Sequence, residues 1–157
     1  MIEKQYLANR IANANEAELV AIVYEGLIDS LKDGIDFLSI NAEDRFNKSI
    51  EKSREILAEL LSTLEGDTEI ANNLRSLYFY INELITDASI DKDGEKLELA
   101  IKIITPVYEG WKELGTKEGG RDLEDTPQGP QIVAGITYGK GQLNDYVVNN
   151  DSKWKKG

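Results

Sequence analysis

The clearest pattern of hydrophobic positions in the chain lies between Ile70 and Ala88. Its apolar residues alternate at steps of four and three, as in a coiled-coil-like helical seam: Ile70, Leu74, Leu77, Ile81, Leu84 and Ala88. Ala71, Tyr78 and Ile85 form a second apolar row one position further on. A helix exposed on one side needs only one such stripe, so this helix is predicted to contact two neighbours at once.

Three further segments show the same helical spacing. The first starts at Asn15, which with Glu18 has the spacing of a capping box, and it continues to about residue 40. Gly26 and Gly34 lie inside this helix, where close approach of another helix would compensate for their low helix propensity. The second helix follows a tight turn at residues 41–44 and is predicted to close at Gly66.

The third predicted helix is the one described first, with Asp67 as its expected N-cap. The fourth runs through residue 111 and contains Pro106, which predicts a kink because proline removes one backbone hydrogen bond. Short turns make consecutive helices antiparallel neighbours. The sequence therefore predicts an all-α fold, an antiparallel up-and-down four-helix bundle over residues 1–114.

The composition changes at Gly115. Residues 115–130 have the Gly, Pro and charge content of a linker. Beyond them, two runs of β-forming residues, 132–138 and 142–148, flank a Gly-Lys-Gly spacer and predict a small hairpin. An isolated two-stranded hairpin is marginally stable in water, so it is expected to dock on the bundle or to bind a partner. We therefore divide the chain into residues 1–114, a helical bundle domain, and residues 115–157, a Gly/Pro-rich linker and C-terminal extension.

Composition excludes several kinds of chemistry. The 157 residues fit one domain, and they include no cysteine and no histidine, so disulfides, the usual zinc sites and imidazole or thiol catalysis are excluded. The net charge of −11 disfavours nucleic acid and anionic lipid as partners. We expect no signal peptide and no membrane insertion, because residues 1–6 lack a basic lead and an apolar core and no apolar run approaches about 20 residues. We expect no enzyme activity, no cofactor and no metal site.

Recognition of another protein is then the remaining kind of function. The wide apolar stripe of the third helix has two interpretations: it belongs to a generous core, or it borders a groove that takes an amphipathic helix from a partner. Periodicity leaves both open.

Three short segments resemble a known family. The third helix reads Ile-Ala-x-Asn-Leu-x-x-Leu-Tyr-x-Tyr from Ile70 to Tyr80, which resembles the third-helix motif of the flagellar export chaperone family FliS. Tyr6-x-x-Asn9 matches the leader of that family, and Val-Tyr-Glu-Gly at residues 23–26 is similar to its Leu-Tyr-Asp-Gly. The resemblance covers about residues 5–114.

The resemblance implies a cytoplasmic export chaperone that binds the C-terminal region of flagellin. It would mask the amphipathic helices of flagellin, prevent premature polymerisation and support secretion. The export gate and the regulator FliW are further partners that the family implies. By position, nine residues are the candidates for partner binding: Tyr6, Asn9, Ile50, Leu57, Leu61, Leu64, Tyr78, Ile81 and Ile85.

Two hypotheses accompany this interpretation. The alternative function is a non-enzymatic structural or regulatory bundle that self-associates, for example as a homodimer, through the same wide stripe. The extension at residues 115–157 lies outside the usual length of the family, and we hypothesise that its apolar half docks back on the bundle and competes with the client or covers the empty groove.

Overall fold

The computed structural model describes residues 2–119, which form five helices and no strand. The helices are α1 (Ile2–Asn13), α2 (Glu16–Ser39), α3 (Glu43–Ser62), α4 (Glu69–Asp91) and α5 (Gly94–Gly119). The predicted all-α class is confirmed. The predicted hairpin at residues 132–148 lies outside the described residues.

The predicted number of helices, four, is wrong for this part of the chain, because residues 2–13 form the additional helix α1. Among residues 5–13 of this helix, whose side chains the structure describes, only Ile11 is buried, and Leu7 is half-buried. A stripe of two anchors is too short to show a helical period, which explains why the segment resembles a polar leader in sequence.

Helices α2 to α5 pack in a ring, in which α2 lies between α3 and α5, and α4 closes the ring. The hydroxyl oxygens of Ser30 on α2 and Ser53 on α3 lie 2.8 Å apart inside the core. Near the end of α2, a Cβ on Gly34 would lie 3.1 Å from the Leu97 side chain of α5. This contact confirms the close approach predicted at Gly34, since a Cβ there would require the Leu97 side chain to shift.

The ends of the helices follow local capping rules. Asn15 forms the predicted capping box with Glu18 at the start of α2. The predicted cap of α4 is wrong: the side chain of Thr68, not Asp67, accepts a hydrogen bond from the backbone of Ala71. Helix α3 ends at Ser62, before the predicted closure at Gly66.

Helix α5 continues through Pro106, so the proline does not end it, and it reaches Gly119, past the boundary predicted at residue 114. Its C-terminal part lies at the first turn of α2, where the Asn15 side chain donates a hydrogen bond to the carbonyl of Gly115 at 3.0 Å. We call this end of the ring the α5-end pole. At the opposite pole, Lys92 lies 3.8 Å from the carboxylate of Glu43.

Candidate partner-binding surface

The nine predicted site residues occupy two different environments. On α1, Tyr6 is 63% exposed and Asn9 is also exposed. Leu61 is half-buried at the end of α3. The other six are buried in the core of the ring: Ile50, Leu57, Leu64, Tyr78, Ile81 and Ile85. Because these six side chains are buried in this conformation, their contact with a partner stays a prediction.

Tyr78 illustrates why these residues are internal. Its ring meets that of Tyr24 edge to face, with centroids 6.3 Å apart, and the two hydroxyl groups share a hydrogen bond. Both rings are fully buried. A buried tyrosine needs a partner for its hydroxyl, and here α2 supplies it across the ring of helices. Tyr78 therefore joins α4 to α2.

Helix α1 is held on the ring by a polar cluster. The Arg10 guanidinium donates two hydrogen bonds to the Glu25 carboxylate of α2, at 2.8 and 2.7 Å. Tyr108 of α5 donates a third to the same carboxylate at 3.0 Å. Two-pronged arginine–carboxylate pairs fix orientation as well as adding stability. The cluster thus positions α1 over α2 and α5, and Tyr6 lies outside it with its ring 5.7 Å from the Arg10 guanidinium.

The cluster shifts the ionisation of its members. Burial raises the pKa of Glu25, but the hydrogen bonds and the positive charge from Arg10 outweigh burial, so its pKa lies below the ordinary value. Burial, together with the hydrogen bond to Glu25 and its negative charge, raises the pKa of Tyr108 to about 12. At neutral pH the cluster therefore holds a carboxylate, a guanidinium and a neutral phenol.

An open apolar groove lies between α4 and α5 near the α5-end pole. Its volume is about 360 Å³, and it is lined by Ile70, Leu74, Val107, Gly110, Trp111, Glu113 and Leu114. The floor is formed by Leu74 and Trp111, which are buried. Gly110 leaves part of one wall open, because a Cβ there would meet no atom within 4 Å. A groove beside the third predicted helix is therefore present, but it is lined by different residues from those predicted.

By helical spacing, further exposed or half-buried apolar side chains fall on the same sides of α4 and α5 as the lining of this groove. On α4, Leu77 and Tyr80 follow Ile70 at steps of seven and three, and Tyr80 is 44% exposed. On α5, Leu99 and Ile103 precede Val107 at steps of four. We call this surface the α4–α5 strip, and it comprises Ile70, Leu77, Tyr80, Leu99, Ile103, Val107 and Leu114. From Leu99 to Leu114 it is about 22 Å long at the helical rise.

The sequence contains a signal for this strip that lies outside the predicted site. Val107, Gly110, Trp111 and Leu114 are spaced as the face of an amphipathic helix. None of these four positions is among the predicted binding residues. Periodicity identifies such a face, but it does not tell which part of it a neighbouring helix covers.

Two features are absent from the described residues. No group of three or more acidic side chains in residues 2–119 is arranged to hold a metal ion. Among helices α1 to α5, none combines the length and hydrophobicity needed to cross a lipid bilayer.

Comparison with known proteins agrees with this architecture. The family model for flagellar protein FliS matches residues 2–118, which include nearly all of the five helices. The flagellar secretion chaperone FliS of Bacillus subtilis (strain 168) is 23% identical over 108 residues, covering 69% of this chain and 81% of that protein. The chain therefore belongs to the FliS family of flagellar proteins.

Proposed function

We propose that this protein is a cytoplasmic export chaperone that binds the C-terminal region of flagellin and delivers it for secretion. Family membership and the name of the Bacillus relative support a role in flagellar secretion. The observation that carries the choice of binding surface is the α4–α5 strip, an apolar surface that the ring of helices leaves uncovered.

The dimensions of the strip suit an amphipathic helix. A length of about 22 Å corresponds to about four helical turns. The strip offers apolar side chains from two helices with a furrow between them, which is the usual geometry for a helix bound in a groove. An apolar face of the client would lie in the furrow, with its polar face exposed to water.

Binding of this kind explains how a chaperone prevents premature assembly. A disordered client segment loses conformational entropy when it becomes helical, and burial of its apolar face offsets that cost. While the face is bound to the strip, it is unavailable to another flagellin subunit. Tyr6 and Asn9 on α1 remain predicted second contacts for the same client.

Two adjacent aromatic residues of α4 provide a matched test. Tyr80 belongs to the strip, whereas Phe79 is 58% exposed on another side of the same helix. A carboxylate at an apolar contact must be desolvated on binding, so we expect Tyr80→Glu to weaken binding of a flagellin C-terminal peptide at least about tenfold. Phe79→Glu should leave the affinity within about twofold. Isothermal titration calorimetry measures both, and circular dichroism of each free variant checks its fold.

The reverse pattern, with Phe79→Glu weakening binding and Tyr80→Glu neutral, would place the client on another face. Failure of the unmodified chain to bind the peptide, together with a concentration-dependent homodimer in sedimentation, would instead support the self-associating bundle.

A further inference from the structure

We propose that the C-terminal extension of this chain docks on the α4–α5 strip through its apolar residues 132–148. It would act as an internal occupant of the strip that a client must displace. The docking itself is independent of what the client is. Only the competition rests on the function proposed above.

The position of the strip makes it accessible to the extension. Helix α5 ends at Gly119, and Trp111 on the groove floor lies about 12 Å before that end along the helix axis. Residues 120–131 can span up to about 40 Å when extended. The apolar residues that follow can therefore reach any part of the groove from the end of α5.

The composition of residues 132–148 suits an apolar surface. They carry two charged residues, Lys140 and Asp145, and their apolar side chains form two groups. The groups consist of Ile132, Val133, Ala134, Ile136 and Tyr138, and of Leu143, Tyr146, Val147 and Val148. Burying such residues against apolar side chains removes the unfavourable free energy of their hydration. The family match ends at residue 118, so residues 132–148 lie outside the matched region.

Charge also favours docking. Residues 120–157 contain five acidic and five basic residues, so the whole net charge of −11 resides in residues 1–119. Lys153, Lys155 and Lys156 lie within five positions of the C-terminus, around Trp154. A basic end attached to an acidic bundle is attracted to it, and Glu113 is an acidic residue in the lining of the groove.

Because the extension is covalently attached to the bundle, a weak contact with the strip is enough to keep it docked. A segment joined to its binding site by a short connection has an effective concentration in the millimolar range. An intrinsic dissociation constant of about 0.1 mM would therefore keep the strip about nine-tenths occupied. The client would then bind a chain whose strip is unoccupied about tenfold more tightly than it binds the full chain.

The cysteine-free sequence allows a direct test on the full-length protein. A nitroxide attached at Gly110→Cys lies in the groove, where the space beside this residue is open. We expect it to broaden the backbone amide resonances of residues 132–148. The matched control is a nitroxide at Glu51→Cys, an exposed position on α3, the helix across the ring from α5. It should leave those resonances sharp.

Two outcomes would overturn the docking. One is that the label at residue 110 leaves residues 132–148 unaffected. The other is that the broadening occurs only between molecules, which would make a second copy the occupant of the strip. Mixing spin-labelled protein without ¹⁵N with ¹⁵N-enriched protein without the spin label detects this intermolecular broadening.

Competition is tested by Ile136→Asp combined with Val147→Asp, two changes outside the helical ring. We expect this variant to lose the broadening and to bind the flagellin peptide about tenfold more tightly. Loss of the broadening with unchanged affinity for the peptide would overturn the competition. If no variant binds the peptide, the proposed function is contradicted, whereas the docking result from the broadening is unaffected.

Discussion

Two glycines of α5 show how differently one helix can use the same residue. A Cβ on Gly115 would lie 2.5 Å from Cγ of Glu18 and 3.1 Å from its backbone nitrogen. A Cβ on Gly110 would meet nothing within 4 Å. Gly115 is therefore required by the packing of α5 against the start of α2, whereas no packing contact requires glycine at residue 110, where it lowers helix propensity.

These two positions give a matched pair of predictions for stability. Gly110→Ala should raise the free energy of unfolding by about 1 kcal/mol, because alanine favours the helix and finds open space. Gly115→Ala should lower it by about 1 kcal/mol or more, since Glu18 must move and the capping box of α2 is lost. Urea denaturation followed by circular dichroism measures both. Equal stabilisation by the two substitutions would contradict the close approach at Gly115.

The attachment of helix α1 to the ring depends on one ionised group, the carboxylate of Glu25. Glu25 receives hydrogen bonds from Arg10 of α1 and from Tyr108 of α5, and its pKa lies below the ordinary value of 4.5. Because the folded pKa is the lower one, the carboxylate contributes stability that is present above about pH 4.5. That stability is lost as the pH falls through the folded pKa.

The variant Glu25→Gln tests this pH dependence. At pH 6 we expect it to be less stable than the unmodified chain by about 1 kcal/mol, a moderate value because the ion pair is partly exposed. The difference should shrink as the pH is lowered from 4.5 towards 3. Glu51→Gln, on the exposed side of α3, is the control and should show neither effect. Urea unfolding at each pH gives the difference, and a gap that stays constant down to pH 3 would rule out the role of the ionised carboxylate.

Predictability from sequence also differs among the helices. The boundaries of α2 and the course of α4 follow from capping residues and from steps of three and four, because these signals are local. The start of α1 does not follow, since this helix packs through few apolar residues and is positioned by Arg10 pairing with a residue of another helix. The family resemblance makes Tyr6 and Asn9 candidates for partner contact, and the structure has both side chains exposed.

At the scale of the whole molecule, the candidate partner-binding surface is the feature that is hardest to predict from the sequence. A stripe of apolar residues is the same whether another helix covers it or not. Tyr78 and Ile81 are buried because α2 and α5 complete the ring around them, while Tyr80 is left at the edge. Such sidedness depends on the order of the helices around the core, which periodicity does not contain.

Client binding should also be visible in the stability of the whole domain. A ligand that binds only the folded chain, at about 100 times its Kd, adds about 2.7 kcal/mol to the free energy of unfolding. For a domain of this size that corresponds to a rise in Tm of about 10 °C. Thermal denaturation with and without the flagellin peptide measures it. The rise should be retained in Phe79→Glu and fall to about half in Tyr80→Glu, because tenfold weaker binding at the same peptide concentration leaves about 1.4 kcal/mol. Equal shifts in both variants would exclude the strip as the binding surface.

The contact of Gly115 with the first turn of α2 has a practical consequence for attaching the protein to a sensor or a resin. This contact fixes the C-terminal end of α5 beside the groove. An attachment tag placed directly after residue 119 would therefore obstruct access of a bound peptide to the groove. The turn at residues 40–42, between α2 and α3, lies at the other pole. A tag inserted there would attach the protein at the pole away from the groove and leave the groove open to solution.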